Sequence, residues 1–291
     1  MLFFIFLNKL IIGEVMKKSI IVIFIVTLII VLSCVTINNV IVKEEDIDVV
    51  NQQNINISAR AAISYNATSD KIIYSKNIHK PLLTASIIKI LTCITAIENI
   101  DINKYILIGD WINQAYGSSI YLKKGDYVKV IDLLYGLILE SGNDAALALC
   151  YAYSPNPNDF IIKMQELVKK LHLTDTTISN PSGLDENSEN YSSCYDMASI
   201  TKYAFKNALF RKIFGTKFYT TTINDRLLSF HHKHKLVQNL PHVIGGKTGY
   251  TKKAGRTLVT IFSYDGEIII VVTMQAGNDW LLHQELSKYD E

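Results

Sequence analysis

RTLVTIFSYDGEIIIVVTMQAG, residues 256–277, decides the fold. Two runs rich in β-branched and apolar residues flank Asp265-Gly266, a dipeptide that tolerates the positive φ angles of a tight two-residue turn, so the stretch reads as a β-hairpin. Just before it, GGKTGYT at 245–251 reads as another strand. Far upstream, ARAAISYN at 59–66 and KIIYSK at 71–76, separated by ATSD, read as two strands of a second hairpin. From about residue 100 to 215 the apolar spacing is helical instead, broken by loops at YGSS, LKKGD, SPNPND and NPSGLDENSENYS. Strands at both ends of a helical insertion predict one α/β domain. Its antiparallel sheet is assembled from N- and C-terminal segments and flanked by helices, with an all-helical middle region.

The 291-residue chain has a formal net charge of +2, which selects no charged partner, and its 16 tyrosines form no platform interleaved with basic residues. Nucleic acid is therefore excluded as a partner. Lys17 and Lys18 precede an uncharged run at residues 19–42 that is long enough to span a bilayer. It is longer than the apolar core of about 7–15 residues in a cleavable signal peptide. The lysines before it and KEEDID after it, at 43–48, place the remainder outside the cytoplasm by the positive-inside rule. Residues 1–42 are thus expected to be a membrane anchor or uncleaved leader, 43–57 a polar spacer, and 58–291 the working domain. Two alternatives stay open: VLSC at 31–34 loosely resembles a lipoprotein box that would lipidate Cys34, and Met16 opens a complete leader of its own. Cys93, Cys150 and Cys194 form no CxxC pair, and the first two fall in apolar helical patterns as buried thiols.

TASIIKILTCITAIE, residues 84–98, reads as an amphipathic helix with a misplaced charge: Lys89 sits among Ile, Leu and Cys, one turn after Ser86. Two further short motifs follow, SGN at 141–143 between two helical patterns and KTG at 247–249 on a strand. Each alone is weak, but the ordered set has a chemical logic. Apolar surroundings and a second cation, Lys247, would lower the pKa of Lys89 until its amine could take the Ser86 proton. The N-terminal end of a helix at Ser86 would favour a developing oxyanion.

With YGSSIYLKKGDYVKVIDLLYGLILESGNDAALAL, NPSGLD and GGKTGYTKKAGRTLV, these motifs resemble the serine D-alanyl-D-alanine carboxypeptidases, the low-molecular-mass penicillin-binding proteins. The resemblance implies a DD-peptidase/β-lactamase-like fold and an acyl-enzyme on Ser86 formed with peptidoglycan stem peptides ending in D-Ala-D-Ala. It implies Lys89 as the base, Ser141 as a proton relay to the departing D-alanine, and Asn143 as a holder of Lys89 and of the substrate amide. Lys247 and Thr248 would bind the terminal carboxylate, Gly249 and Tyr250 would complete the substrate-binding segment, and the backbone N–H groups of Ser86 and Tyr250 would form the oxyanion hole. It also implies β-lactams as covalent inhibitors, no metal or organic cofactor, and action as a monomer on the extracytoplasmic face of a bacterial membrane. Departures are the Ile87-Ile88 pair inside SIIK and the lack of a C-terminal β domain after NDWLLHQELSKYDE, for which the N-terminal run would substitute as an anchor.

A class A β-lactamase shares SxxK and KTG but expects SDN and a Glu-x-x-Leu-Asn loop, which this sequence lacks between Asn143 and Lys247. A catalytically silent, membrane-tethered relative need not keep all five polar motif residues. HHKHK at 231–235 lacks an HExxH spacing, so His231, His232 and His234 read as a loop near the cleft before a metal site. Asp144 reads as a helix N-terminal charge, and Glu98, Glu140 and Asp196 read as structural.

Overall fold

β1 (Ala59–Asn66) is buried at every position except Arg60, which places it inside a sheet covered on both faces. The structure is a computed structural model that describes residues 57–288, together with Thr27. The expected anchor, and the spacer up to residue 56, lie outside the described residues. Ile57, the last residue assigned to that spacer, is buried in the core, and its carbonyl accepts from Lys76 Nζ at 2.9 Å.

Along the chain follow β2 (Lys71–Lys76), β3 (Leu82–Leu83), a 3₁₀ turn (Ala85–Ile88), α1 (Lys89–Asn99), β4 (Tyr105–Leu107), β5 (Tyr127–Lys129), α2 (Val130–Leu139), α3 (Asn143–Tyr153) and α4 (Pro157–Lys170). Then come β6 (Tyr191–Ser192), α5 (Cys194–Phe205), α6 (Ala208–Gly215), β7 (Phe218–Ile223), β8 (Arg226–His231), α7 (Lys235–Asn239), β9 (Val243–Thr251), β10 (Gly255–Tyr264), β11 (Glu267–Ala276) and α8 (Asp279–Leu286). The main sheet has the order β2-β1-β11-β10-β9, antiparallel throughout, so the two ends of the domain meet where β1 pairs with β11. Asp265 and Gly266 turn at φ 47° and 92°, as their side chains permit.

One face of the sheet, with Val259, Ile261, Ile270 and Val272, packs on the helical core that includes Ile90, Leu91 and Ile94 of α1. The other, with Phe262, Ile269 and Val271, is covered by Leu236 and Val237 of α7 and by Leu282 and Leu286 of α8. The middle region is helical apart from the short ribbons β3/β6 and β4/β5. The hairpin β7–β8 was not anticipated: FYTTTI and RLLSFH alternate exposed and partly buried positions around Asn224-Asp225, both at positive φ. Cys93, Cys150 and Cys194 are buried free thiols. No helix among the described residues is long and apolar enough to cross a membrane.

Candidate active site

The nucleophile segment is built by close approach. Ser86 lies on the 3₁₀ turn, one step before α1 rather than inside it. Ala85 is held at φ 45°, a left-handed backbone that costs a non-glycine residue energy and aims the next side chain into the cleft. Two glycines admit this turn. A Cβ on Gly249 would fall 2.3 Å from Thr257 Oγ1 and 2.8 Å from Ser86 N, and one on Gly183 would fall 1.9 Å from the Ala85 carbonyl oxygen. Thr257 Oγ1 donates to the Thr84 carbonyl at 2.9 Å, pinning the turn to β10.

Lys89 is fully buried, and its Nζ has three partners: Ser86 Oγ at 2.8 Å, Asn143 Oδ1 at 2.7 Å and the Ser182 carbonyl at 2.5 Å. The Asn143 amide is oriented by its Nδ2, which donates to the Tyr116 carbonyl at 2.6 Å. Two of the three partners are therefore pure acceptors, and only Ser86 can return a proton. As a neutral amine, Lys89 donates to Asn143 and Ser182 and turns its lone pair to the Ser86 hydroxyl. As an ammonium it donates to all three. A proton can pass between Ser86 and Lys89 without orphaning a buried group. Burial first, then the Lys247 and Lys233 charges, hold the Lys89 pKa well below the ordinary lysine value, with Asp144 opposing.

SGN supplies the second half. Ser141, at φ 61° between α2 and α3, receives a hydrogen bond from Lys247 Nζ at 2.8 Å; that ammonium also donates to the Thr248 carbonyl at 3.0 Å. Burial, with Lys233 adding, brings the Lys247 pKa down to about 7. The cleft, about 320 Å³, is lined by Ser86, Ser118, Ser141, Lys233, Thr248, Gly249, Tyr250, Arg256, Asp279 and Trp280.

All eight residues singled out in the sequence thus gather around one cleft. Lys247 is 1% exposed and directed at Ser141. The exposed cations lining the cleft are Lys233 and Arg256, and the Nε and Nη2 of Arg256 clasp Asp279 at 3.0 and 2.7 Å. Asn143 Nδ2 is engaged by Tyr116. Asp144 organises the 119–122 loop through Ser119 Oγ and the N–H groups of Ile120 and Leu122, which makes it structural. Glu98 accepts from the Tyr203 hydroxyl, Glu140 from His231 N, and Asp196 from Thr176 Oγ1. His232 and His234 are buried, with hydrogen-bond partners at both ring nitrogens. The Ser182 and Tyr116 carbonyls, Lys233 and Arg256 were not picked out from the sequence. The only available signal was the glycine in NPSGLD, which marks a close backbone approach.

Residues 48–278 match the D-alanyl-D-alanine carboxypeptidase family, peptidase S11. The chain is 34% identical over 203 residues to the D-alanyl-D-alanine carboxypeptidase DacF of Bacillus subtilis, covering 67% of this chain and 52% of that one, so it spans about half the length of this relative. Among solved structures, a D-alanyl-D-alanine carboxypeptidase from Mycobacterium tuberculosis H37Rv superposes with a TM-score of 0.76 at 26% identity, over 84% of this chain and 95% of that one. The Streptomyces K15 DD-transpeptidase superposes with a TM-score of 0.74 at 26% identity, over 80% and 97%. The extent of the family match, and a fold shared over nearly the whole of both solved domains, establish that the chain belongs to the D-alanyl-D-alanine carboxypeptidase family, peptidase S11.

Proposed function

We propose that the chain is a serine D-alanyl-D-alanine carboxypeptidase that removes the terminal D-alanine of peptidoglycan stem pentapeptides. The observation that carries this reading is the environment of Lys89, a buried amine with two fixed acceptors and one exchangeable partner, Ser86. Ser86 Oγ attacks the penultimate D-alanyl carbonyl while its proton passes to Lys89. The C–N bond then breaks, and the leaving amine takes a proton from the Ser141 hydroxyl, which Lys247 replenishes. Water attacks the Ser86 ester, its proton passes through Ser141 back to Lys247, and Ser86 leaves as it recovers its own proton from Lys89, which frees the shortened peptide and restores both lysines. In this reading Thr248 and Arg256 receive the terminal carboxylate, supported by their position in the cleft lining and by the permanent charge of Arg256, held by Asp279. No step calls on a metal or organic cofactor.

β-Lactams enter the same cleft and acylate Ser86. The reading extends to location: the uncharged run at 19–42, with lysines before it and acids after it, supports a tether that holds the domain on the extracytoplasmic face. The test is D-alanine release from a D-Ala-D-Ala pentapeptide by wild type and Ser86→Ala. Release by the wild type alone is expected, and release no greater than the Ser86→Ala background would overturn the reading.

A further inference from the structure

The chemistry above leaves a set of buried histidines unused. His234 caps α7: its Nδ1 accepts from Val237 N at 3.3 Å, so its proton sits on Nε2 and is donated to Thr260 Oγ1 at 2.9 Å. Thr260 has a single hydroxyl proton, which then goes to His283 Nδ1 at 2.7 Å, and His283 Nε2 donates to Thr273 Oγ1 at 2.9 Å. Each donor in this chain has one acceptor while both rings are neutral. Burial keeps them so, holding both pKa values far below the usual histidine range.

The chain ties α7, β10, α8 and β11 together, and it also reaches the cleft. The His234 ring stands edge-on to Trp280 at 4.9 Å, and Arg256 Cζ lies 5.8 Å from the Trp280 ring centroid. Asp279, one helical turn before His283 on α8, clasps Arg256. Thr260 and Arg256 are four residues apart on β10, so their side chains share a face. Two clamps, His283 on Thr260 and Asp279 on Arg256, therefore fix α8 to one strand.

We propose that His234 and His283, joined through Thr260, are positioning residues that set where the Arg256 guanidinium meets the terminal carboxylate of the substrate. This rests on the carboxypeptidase reading above. The test compares Ser86 acylation by a β-lactam with a free carboxylate and by its methyl ester. The acid-to-ester ratio of second-order rates is measured for wild type, Thr260→Val, Thr260→Ser and Arg256→Ala. Thr260→Val keeps the shape and removes the linking hydroxyl. It should lower the ratio about tenfold, the scale of one hydrogen bond to a charged group. The loss should lie in the binding constant and not in the acylation step. Thr260→Ser should keep the wild-type ratio, and Thr260→Val should do nothing further in an Arg256→Ala background. An unchanged ratio in folded Thr260→Val, or full additivity with Arg256→Ala, overturns the positioning role. If Thr260→Val fails to fold, Thr273→Val at the far end of the chain carries the same expectations. A wild type acylated by neither compound overturns the carboxypeptidase reading and this inference with it. A wild type acylated normally, with a ratio indifferent to Thr260, overturns positioning alone.

Discussion

Lys89→Met removes the proposed base while keeping an unbranched side chain of similar length in its channel. General-base catalysis contributes about 10²–10⁴ in rate, or roughly 3–5 kcal/mol at about 1.4 kcal/mol per decade. The structure places the expectation at the upper end, because the other acceptor near Ser86 Oγ is the Ser182 carbonyl at 3.4 Å, a long contact to a very weak base. Stability should move less. The Asn143 and Ser182 oxygens each lose a donor, at about 1–3 kcal/mol per orphaned group, but a fully buried amine is replaced by an apolar side chain, so its own desolvation cost disappears. The assay is the second-order rate of Ser86 labelling by a fluorescent penicillin, run beside a thermal melt. A loss of about 10³ or more with a cooperative melt is expected. Labelling within about tenfold of wild type would refute Lys89 as the base. Lys89→Arg separates charge from basicity, since a guanidinium cannot give up its proton near neutral pH, and it should be as inactive as Lys89→Met.

Gly249→Ala places a Cβ 2.8 Å from Ser86 N; it should destabilise by about 1–3 kcal/mol in urea unfolding and slow labelling about a hundredfold, and a silent substitution would contradict the close approach. Lys233→Ala removes a charge that depresses the pKa of both active-site lysines, so the acid limb of the acylation rate should move to higher pH, and an unmoved limb would exclude that coupling. Acid should unfold the domain early. His232 and His283 are held at about 3 against an ordinary 6.5, so between those values the unfolded chain binds protons that the folded one does not. Stability then falls as pH falls, with a slope approaching about 1.4 kcal/mol per unit for each histidine. Urea midpoints that stay flat from pH 7 to about 4 would be incompatible with these buried neutral rings.

The main sheet was legible because its turns are written in residue types: Asp265-Gly266 allows little but a tight hairpin, and the runs on either side are long and apolar. The β7–β8 hairpin was less so: Tyr219, Ile223, Leu228 and Phe230 join the core, but Phe218 and Leu227 on the other face are exposed, so apolar residues on both faces blur the alternation. The 3₁₀ turn under Ser86 had no signature either. Isoleucines at 87 and 88 suit an α-helix equally well, and the left-handed Ala85 is imposed by packing against Gly183 and β9. Within the site, Ser86, Lys89, Ser141, Asn143 and Lys247 could be read because side-chain identity carries their chemistry. The Ser182 and Tyr116 carbonyls could not, because every residue has one and only the fold says which of them faces an amine.

Under the proposed function the terminal carboxylate goes to Arg256, and the characters of Lys247 and Arg256 support that division. A lysine that donates to Ser141 and to its neighbour's carbonyl, sealed from solvent with a pKa near 7, is suited to giving up a proton, and that makes it a poor permanent anchor for an anion. The guanidinium of Arg256 has the opposite character: it is always charged, half exposed to the cleft, and oriented through two hydrogen bonds to a buried carboxylate. Dividing the work in this way leaves Lys247 free to change protonation state during turnover while the substrate stays held. On that proposal, the fastening of α8 to β10 at both Asp279 and His283 would serve to place the anchor, since a guanidinium can be no better placed than the helix that aims it.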